Sequence, residues 1–177
     1  MKKKLIKIDQ LKQADIILST TTEPVSKVVK IGTNSKYSHA RLYDRDGYVI
    51  EAVDPIVFRR QLLNLLKNDK YTAVYRLPKL TNGQAIAIMA YATRQKGKPY
   101  DLSGAVGSAK ASRLTAYGRA SAISNAINPE EEFYCSELIA YAYKWVGIRL
   151  SHRAYSQTTP ESLARSPKLV YVGHLKL

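Results

Sequence analysis

The sequence predicts an α+β fold in which an antiparallel sheet is packed against helices. Three observations predict it. Short strand-like runs alternate with longer helical patterns, and no segment repeats with the period of a solenoid or propeller. Apolar residues make up 45% and charged residues 24% of the chain, as in globular domains. The length of 177 residues suits one domain, read as residues 1–177. A chain of this size buries roughly 70% of the surface its unfolded form exposes.

The elements follow in order. Asp15 to Ser19 reads as a short buried strand. Thr22, Glu23 and Pro24 form a helix start, with Val25, Val28 and Val29 on one face and Gly32 as the stop. Tyr37 to Tyr43 and Tyr48 to Val53 read as two strands. Phe58, Leu62, Leu65 and Leu66 have helical spacing. Thr72 to Leu77 is a strand closed by Pro78. Ile86, Met89, Ala90 and Thr93 predict a helix within 82–96, ended by Gly97 and Pro99. Residues 103–131 read as an Ala/Ser-rich insertion. Leu138, Tyr141, Ala142, Trp145 and Val146 mark an amphipathic helix with Gly147 as its left-handed stop. Leu169 to Val172 is the last strand.

Charge and cysteine content bound the function. Lys and Arg number 28 against 14 Asp and Glu, a net charge of +14. Such a surface favours polyanions: nucleic acid, anionic lipid or acidic wall polymer. No helix-turn-helix, zinc-finger spacing or RNA-motif aromatic signature accompanies it, so no specific nucleic acid is expected. The single cysteine, Cys135, excludes a disulfide framework and a multi-cysteine metal cluster. Lys2, Lys3 and Lys4 resemble the start of a signal peptide. The apolar stretch that should follow is interrupted by Lys7, Asp9, Gln10, Lys12 and Gln13. The expectation is a protein cytoplasmic as synthesised, with export open only to a specialised secretion system.

Cys135 precedes the amphipathic helix in Phe133-Tyr134-Cys135-Ser136-Glu137. A thiol at a helix N-terminus feels the positive end of the macrodipole and free backbone N–H groups, which favour the nucleophilic thiolate. Asn128-Pro129-Glu130-Glu131 is a competing helix start. An unbroken helix from there would place Cys135 almost two turns inside. The expected structure breaks near Phe133 and Tyr134.

Three histidines could serve the thiol. His152 and His174 read as surface groups, which leaves His39 in Tyr37-Ser38-His39-Ala40. Glu51 lies in an apolar strand and needs a partner. The loop Arg45-Asp46-Gly47 suits a three-residue hairpin, a type I turn with Gly47 at its left-handed position. It would pair Asp44 with Tyr48, Arg41 with Glu51 and His39 with Val53. His39, Arg41 and Glu51 then share a face, and the Cβ atoms of His39 and Glu51 stand roughly 7 Å apart. A one-residue slip would send Glu51 to the other face. Two outcomes stay open: a His39–Glu51 couple, or a plain Arg41–Glu51 salt bridge. Asp54 is the reserve for Glu51.

These parts occur in a recognisable order. His39 in its strand precedes Glu51; Lys98-Pro99-Tyr100-Asp101 follows; Tyr134-Cys135-Ser136-Glu137-Leu138 comes last, at a helix start. The chain resembles the circularly permuted papain-like branch of the NlpC/p-sixty superfamily, in particular the YiiX/YebB-like group. Ala14-Asp15-Ile16-Ile17-Leu18 resembles that family's first strand, where a Gly commonly fills the place of Ala14. The resemblance implies a papain-like α+β domain with Cys135, His39 and Glu51 as catalytic triad, and no metal or cofactor. Tyr37, Ser38, Tyr100 and Tyr134 are the substrate-binding candidates.

The leading expectation is a cysteine amidase or endopeptidase acting through a thioester, with peptidoglycan peptide stems as substrate. As a secreted antibacterial effector it would meet a secretion or immunity partner. One alternative is a lipid acyl hydrolase or acyltransferase in contact with anionic membrane. The other is a non-enzymatic binder of polyanions.

Overall fold

The computed structural model describes residues 4–20, 35–106 and 131–175. Seven strands form one sheet: β1 (Leu5–Ile6), β2 (Ile16–Thr20), β3 (His39–Tyr43), β4 (Tyr48–Val53), β5 (Ile56–Gln61), β6 (Tyr71–Arg76) and β7 (Val170–Leu175). Their order across the sheet is β1-β7-β6-β2-β3-β4-β5. Neighbours run antiparallel except β1 and β7, which are parallel. Helices among the described residues include α1 (Leu62–Leu66), α2 (Asn82–Arg94), α3 (Cys135–Lys144) and α4 (Pro160–Ala164).

Alternation along the strands sorts the apolar residues onto two faces. Ile16, Leu18, Ala40, Leu42, Ile50 and Ala73 turn toward α2 and α3 and join Ile88, Met89, Leu138, Ile139 and Ala142 in the larger core. Ile17, Val49, Val74 and Tyr43 turn the other way, onto Leu62 and Leu66 of α1 and onto Ile6 and Leu11. The Tyr143 hydroxyl donates to the Ala14 carbonyl at 2.7 Å and ties α3 to the entry of β2. Ala14 itself adopts φ 68, backbone that glycine takes freely and that costs an L-residue roughly 1–2 kcal/mol.

The hairpin β3–β4 differs from expectation in its turn but keeps its register. Asp46 and Gly47 both have positive φ, 54 and 77, as the two central residues of a type I′ turn do. The Tyr48 amide donates to the Arg45 carbonyl, and the Asp44 amide to the Tyr48 carbonyl. Tyr48 thus faces both Arg45 and Asp44, a bulge that inserts one residue. Leu42 pairs with Ile50 and Tyr43 with Val49. A tight two-residue turn alone would have flipped β4. The bulged residue restores the parity that puts Glu51 on the face of His39 and Arg41.

Other expectations change. Phe58 belongs to β5, not to a helix; only Leu62–Leu66 is helical. Phe58 pairs with Glu51 in the sheet ladder, and this tertiary pairing overrides the local helical spacing. His174 is buried in β7, with its Nδ1 at 3.0 Å from the Thr72 carbonyl, because the last strand runs on to Leu175. Gly147 has φ 76 beyond the end of α3, the left-handed stop that the sequence predicts. The expected helix start at Thr22 to Pro24 and most of the 103–131 insertion lie outside the described residues.

Candidate active site

Cys135 is the first residue of α3, and Tyr134 before it is extended at φ −98, ψ 169. The break has a visible cause. Phe133 pairs with Tyr100 in a parallel bridge; its amide donates to the Pro99 carbonyl and its carbonyl accepts from the Asp101 amide. Pro99 bridges to Ile56, and the Val57 amide donates to the Lys98 carbonyl. The segment Lys98-Pro99-Tyr100-Asp101 therefore straps the chain entering α3 to the edge strand β5. Phe133 is held extended, and the helix starts two residues later. Ser136 Oγ donates to the Thr158 carbonyl at 2.7 Å and anchors the first turn.

His39 begins β3. Its Nε2 donates to Glu51 Oε2 at 2.6 Å, which leaves Nδ1 for the thiol. The imidazole and the Cys135 thiol lie close enough to perturb each other's proton equilibrium. The structure thus brings together all three residues singled out as catalytic candidates, with Cys135 4% exposed and Glu51 2% exposed. The β3–β4 ladder extends only from Tyr43 to Leu42. The backbone at Ala40, beyond it, and at Ser136 favours the ionised form of the Cys135 sulfur.

Both outcomes left open for Glu51 occur at once. Oε2 accepts from His39 and, at 2.7 Å, from Arg41 Nε. Arg41 also pairs with Asp69 and donates to Ser19 Oγ at 3.0 Å. Among the described residues Glu51 Oε1 accepts no hydrogen bond, and Arg60 Nη1 stands 3.8 Å from it. Asp69 and Ser19 are site members that the sequence reading missed. They reach Arg41 from other strands and loops, and no local pattern connects them. Asp54 is exposed and does not replace Glu51.

The electrostatics favour an ion pair. Burial would lower the His39 pKa, but the neighbouring Cys135 sulfur and the hydrogen bond to Glu51 outweigh it and raise it to about 9. Burial would raise the thiol; the imidazole and the Ala40 and Ser136 amides outweigh that and hold it below its ordinary range. Burial also works against ionised Glu51, yet His39 and Arg41 bring its pKa down to about 2. Glu137, two residues beyond the thiol, goes the other way. Burial first, then the charges of Asp101, Glu132 and Cys135, raise it to about 8, although the Tyr134 amide donates to it. Such an arrangement can hold a thiolate beside an imidazolium near neutral pH.

The four substrate-binding candidates lie close by in the chain but present unequal surface. Tyr37, Ser38 and Tyr134 are buried, and Tyr100 is half-buried. The Tyr37 hydroxyl is 3.1 Å from that of Tyr75. Among the described residues no cluster of three or more His, Cys, Asp or Glu could hold a metal ion.

A sheet carrying an imidazole on one strand, followed later in the chain by a helix that starts at a thiol, defines a papain-like domain in permuted order. Residues 10–113 match the family described as "Permuted papain-like amidase enzyme, YaeF/YiiX, C92 family", and the chain belongs to that family. The matched stretch includes His39 and Glu51 and ends before Cys135. The chain is 24% identical over 202 residues to "Probable lipoprotein peptidase YaeF" of Escherichia coli (strain K12), covering 98% of this chain and 74% of that protein. Its fold is similar to that in the crystal structure of metalloprotein yiiX from Escherichia coli O157:H7. The TM-score is 0.70 at 22% identity, over 93% of this chain and 97% of that one. The protein is therefore a hydrolase of the papain-like amidase and peptidase type.

Proposed function

We propose that Cys135, His39 and Glu51 form the catalytic triad and cleave an amide bond through a thioester. The observation that carries this is the chain of contacts from the Cys135 thiol to the His39 imidazole to Glu51 Oε2, at the first turn of α3. The thiolate attacks the carbonyl carbon and forms the C–S bond. The charge passes to the carbonyl oxygen, which the N–H groups opening α3 stabilise. Imidazolium His39 protonates the leaving nitrogen, the C–N bond breaks, and a thioester remains. Water, deprotonated by His39, then releases the carboxylic acid and restores the thiolate. Glu51 orients the ring and stabilises its cationic form.

Residues 1–177 then act as one catalytic domain. The proposal includes the wider kinship with NlpC/p-sixty and YebB-like proteins, on which peptidoglycan peptide stems rest as substrate. The basic surface suits an anionic wall polymer. Acting on the wall as an antibacterial effector requires delivery by a specialised secretion system.

The test is digestion of purified muropeptides followed by mass spectrometry. Cys135→Ala should lower turnover at least about a thousand-fold with an unchanged circular dichroism spectrum. Equal turnover by this variant overturns the triad. Intact muropeptides alongside thiol-dependent release of fatty acid from lipid would move the substrate to an acyl ester.

A further inference from the structure

Packed side by side, α2 and α3 leave an outward face that the catalytic reading does not use. Ile86 is 60% exposed and Trp145 58% exposed, among the largest apolar side chains left in water. Ile86, Ala90 and Arg94 follow one another at four-residue intervals, one stripe along α2. That stripe ends at Trp145: the Arg94 guanidinium stands 5.4 Å from the indole centroid, and the Tyr91 ring lies 5.5 Å from it. Next to it, the Lys144 ammonium sits 5.1 Å from the Tyr141 ring and 5.0 Å from the Tyr155 ring, and Arg149 lies 5.8 Å from Tyr155.

The two chain segments that build this face carry charge of one sign. Residues 70–100, which include α2, contain no Asp or Glu but hold Lys79, Arg94, Lys96 and Lys98 among their bases. Residues 138–160 again contain no acid and carry Lys144, Arg149 and Arg153. An exposed indole with a base beside it, and an exposed aliphatic side chain on the adjoining helix, match the bilayer boundary. There aromatic rings sit at headgroup depth, and Lys and Arg meet lipid phosphates.

We propose that the α2–α3 face docks on an anionic lipid bilayer. Trp145 and Ile86 enter the headgroup region, and Arg94, Lys144, Arg149 and Arg153 pair with lipid phosphates. Trp145 lies ten residues beyond Cys135, about 15 Å along the helix, so the docking indole and the thiol are separate sites.

The chain has one tryptophan, so its emission reports this patch directly. The full chain is titrated with phosphatidylcholine vesicles, with and without about one third phosphatidylglycerol, and binding is followed by emission and co-sedimentation. A blue shift and co-sedimentation with the anionic vesicles alone, weakened by salt, are expected. Quenching by brominated lipid should follow. Arg94→Glu with Lys144→Glu should weaken binding at least tenfold with an unchanged thermal midpoint. Binding by this double variant equal to wild type overturns the proposal. So does the absence of any emission change, or an equal shift with a DNA duplex and no quenching by brominated lipid. Cys135→Ala should bind as wild type does, so failure of catalysis and failure of docking are told apart.

Discussion

Glu51 Oε2 holds two cations, His39 and Arg41, in a site nearly closed to water. Arg41 keeps Glu51 ionised, and its own charge works against the imidazolium, so the acidity of His39 is set by both neighbours. The thiolate–imidazolium pair should persist from a pH below the ordinary thiol range up to about 9, where His39 loses its proton. Iodoacetamide labelling should therefore begin at lower pH than for a free thiol, and turnover should fall above about pH 9. Glu51→Gln removes the anion that raises His39. The labelling midpoint should move upward, and turnover should drop about 10- to 100-fold, measured as paired pH profiles. Glu137 supplies a separate prediction. Its folded pKa of about 8 lies above the ordinary 4.5, so the folded state binds the extra proton between these values. Stability is undiminished below pH 4.5 and is lost as pH rises toward 8. Glu137→Gln keeps an acceptor for the Tyr134 amide without the charge. Its thermal midpoint should gain on the wild type progressively from pH 5 to pH 8 in a melting series. Glu51 has the opposite sign: its contribution is present above 4.5 and lost as pH falls through about 2.

Secondary-structure elements set these contacts through parity. The sequence showed the turn residues and the acid in an apolar strand, and from these the shared face of His39 and Glu51 was legible. It did not show that Asp46 and Gly47 close a tighter turn and that a bulge at Asp44 and Arg45 compensates. Deleting Arg45 removes the extra residue and leaves Asp46 and Gly47 as a two-residue turn between Asp44 and Tyr48, which keeps Tyr43 opposite Val49 and Glu51 on the face of His39. The expected result is retained far-UV circular dichroism with turnover and Cys135 labelling within about threefold of wild type. Loss of both turnover and labelling would show that the pairing beyond the turn needs the bulge. Phe58 was misread because a short apolar spacing fits helix and strand alike, and only its partner Glu51 across the ladder decides. The role of Lys98-Pro99-Tyr100-Asp101 was visible only as a motif. Its work of pinning Phe133 depends on β5, far away in sequence. Asp69 was illegible for the same reason, since a loop residue meets Arg41 only after β6 and β2 are side by side.

Across the molecule, charge is sorted along α3. Asp101, Glu131, Glu132 and Glu137 gather around its thiol end, whereas Lys144, Arg149 and Arg153 lie toward the opposite end, in a stretch without acids. The sign of the total was plain from composition. Its separation was not, because Arg94 reaches the basic end only when α2 packs on α3. Charge gathered on one part of a molecule experiences a torque in any external field. Approaching a negatively charged plane, the protein would rotate in flight and arrive with its basic part leading, before the first atom makes contact.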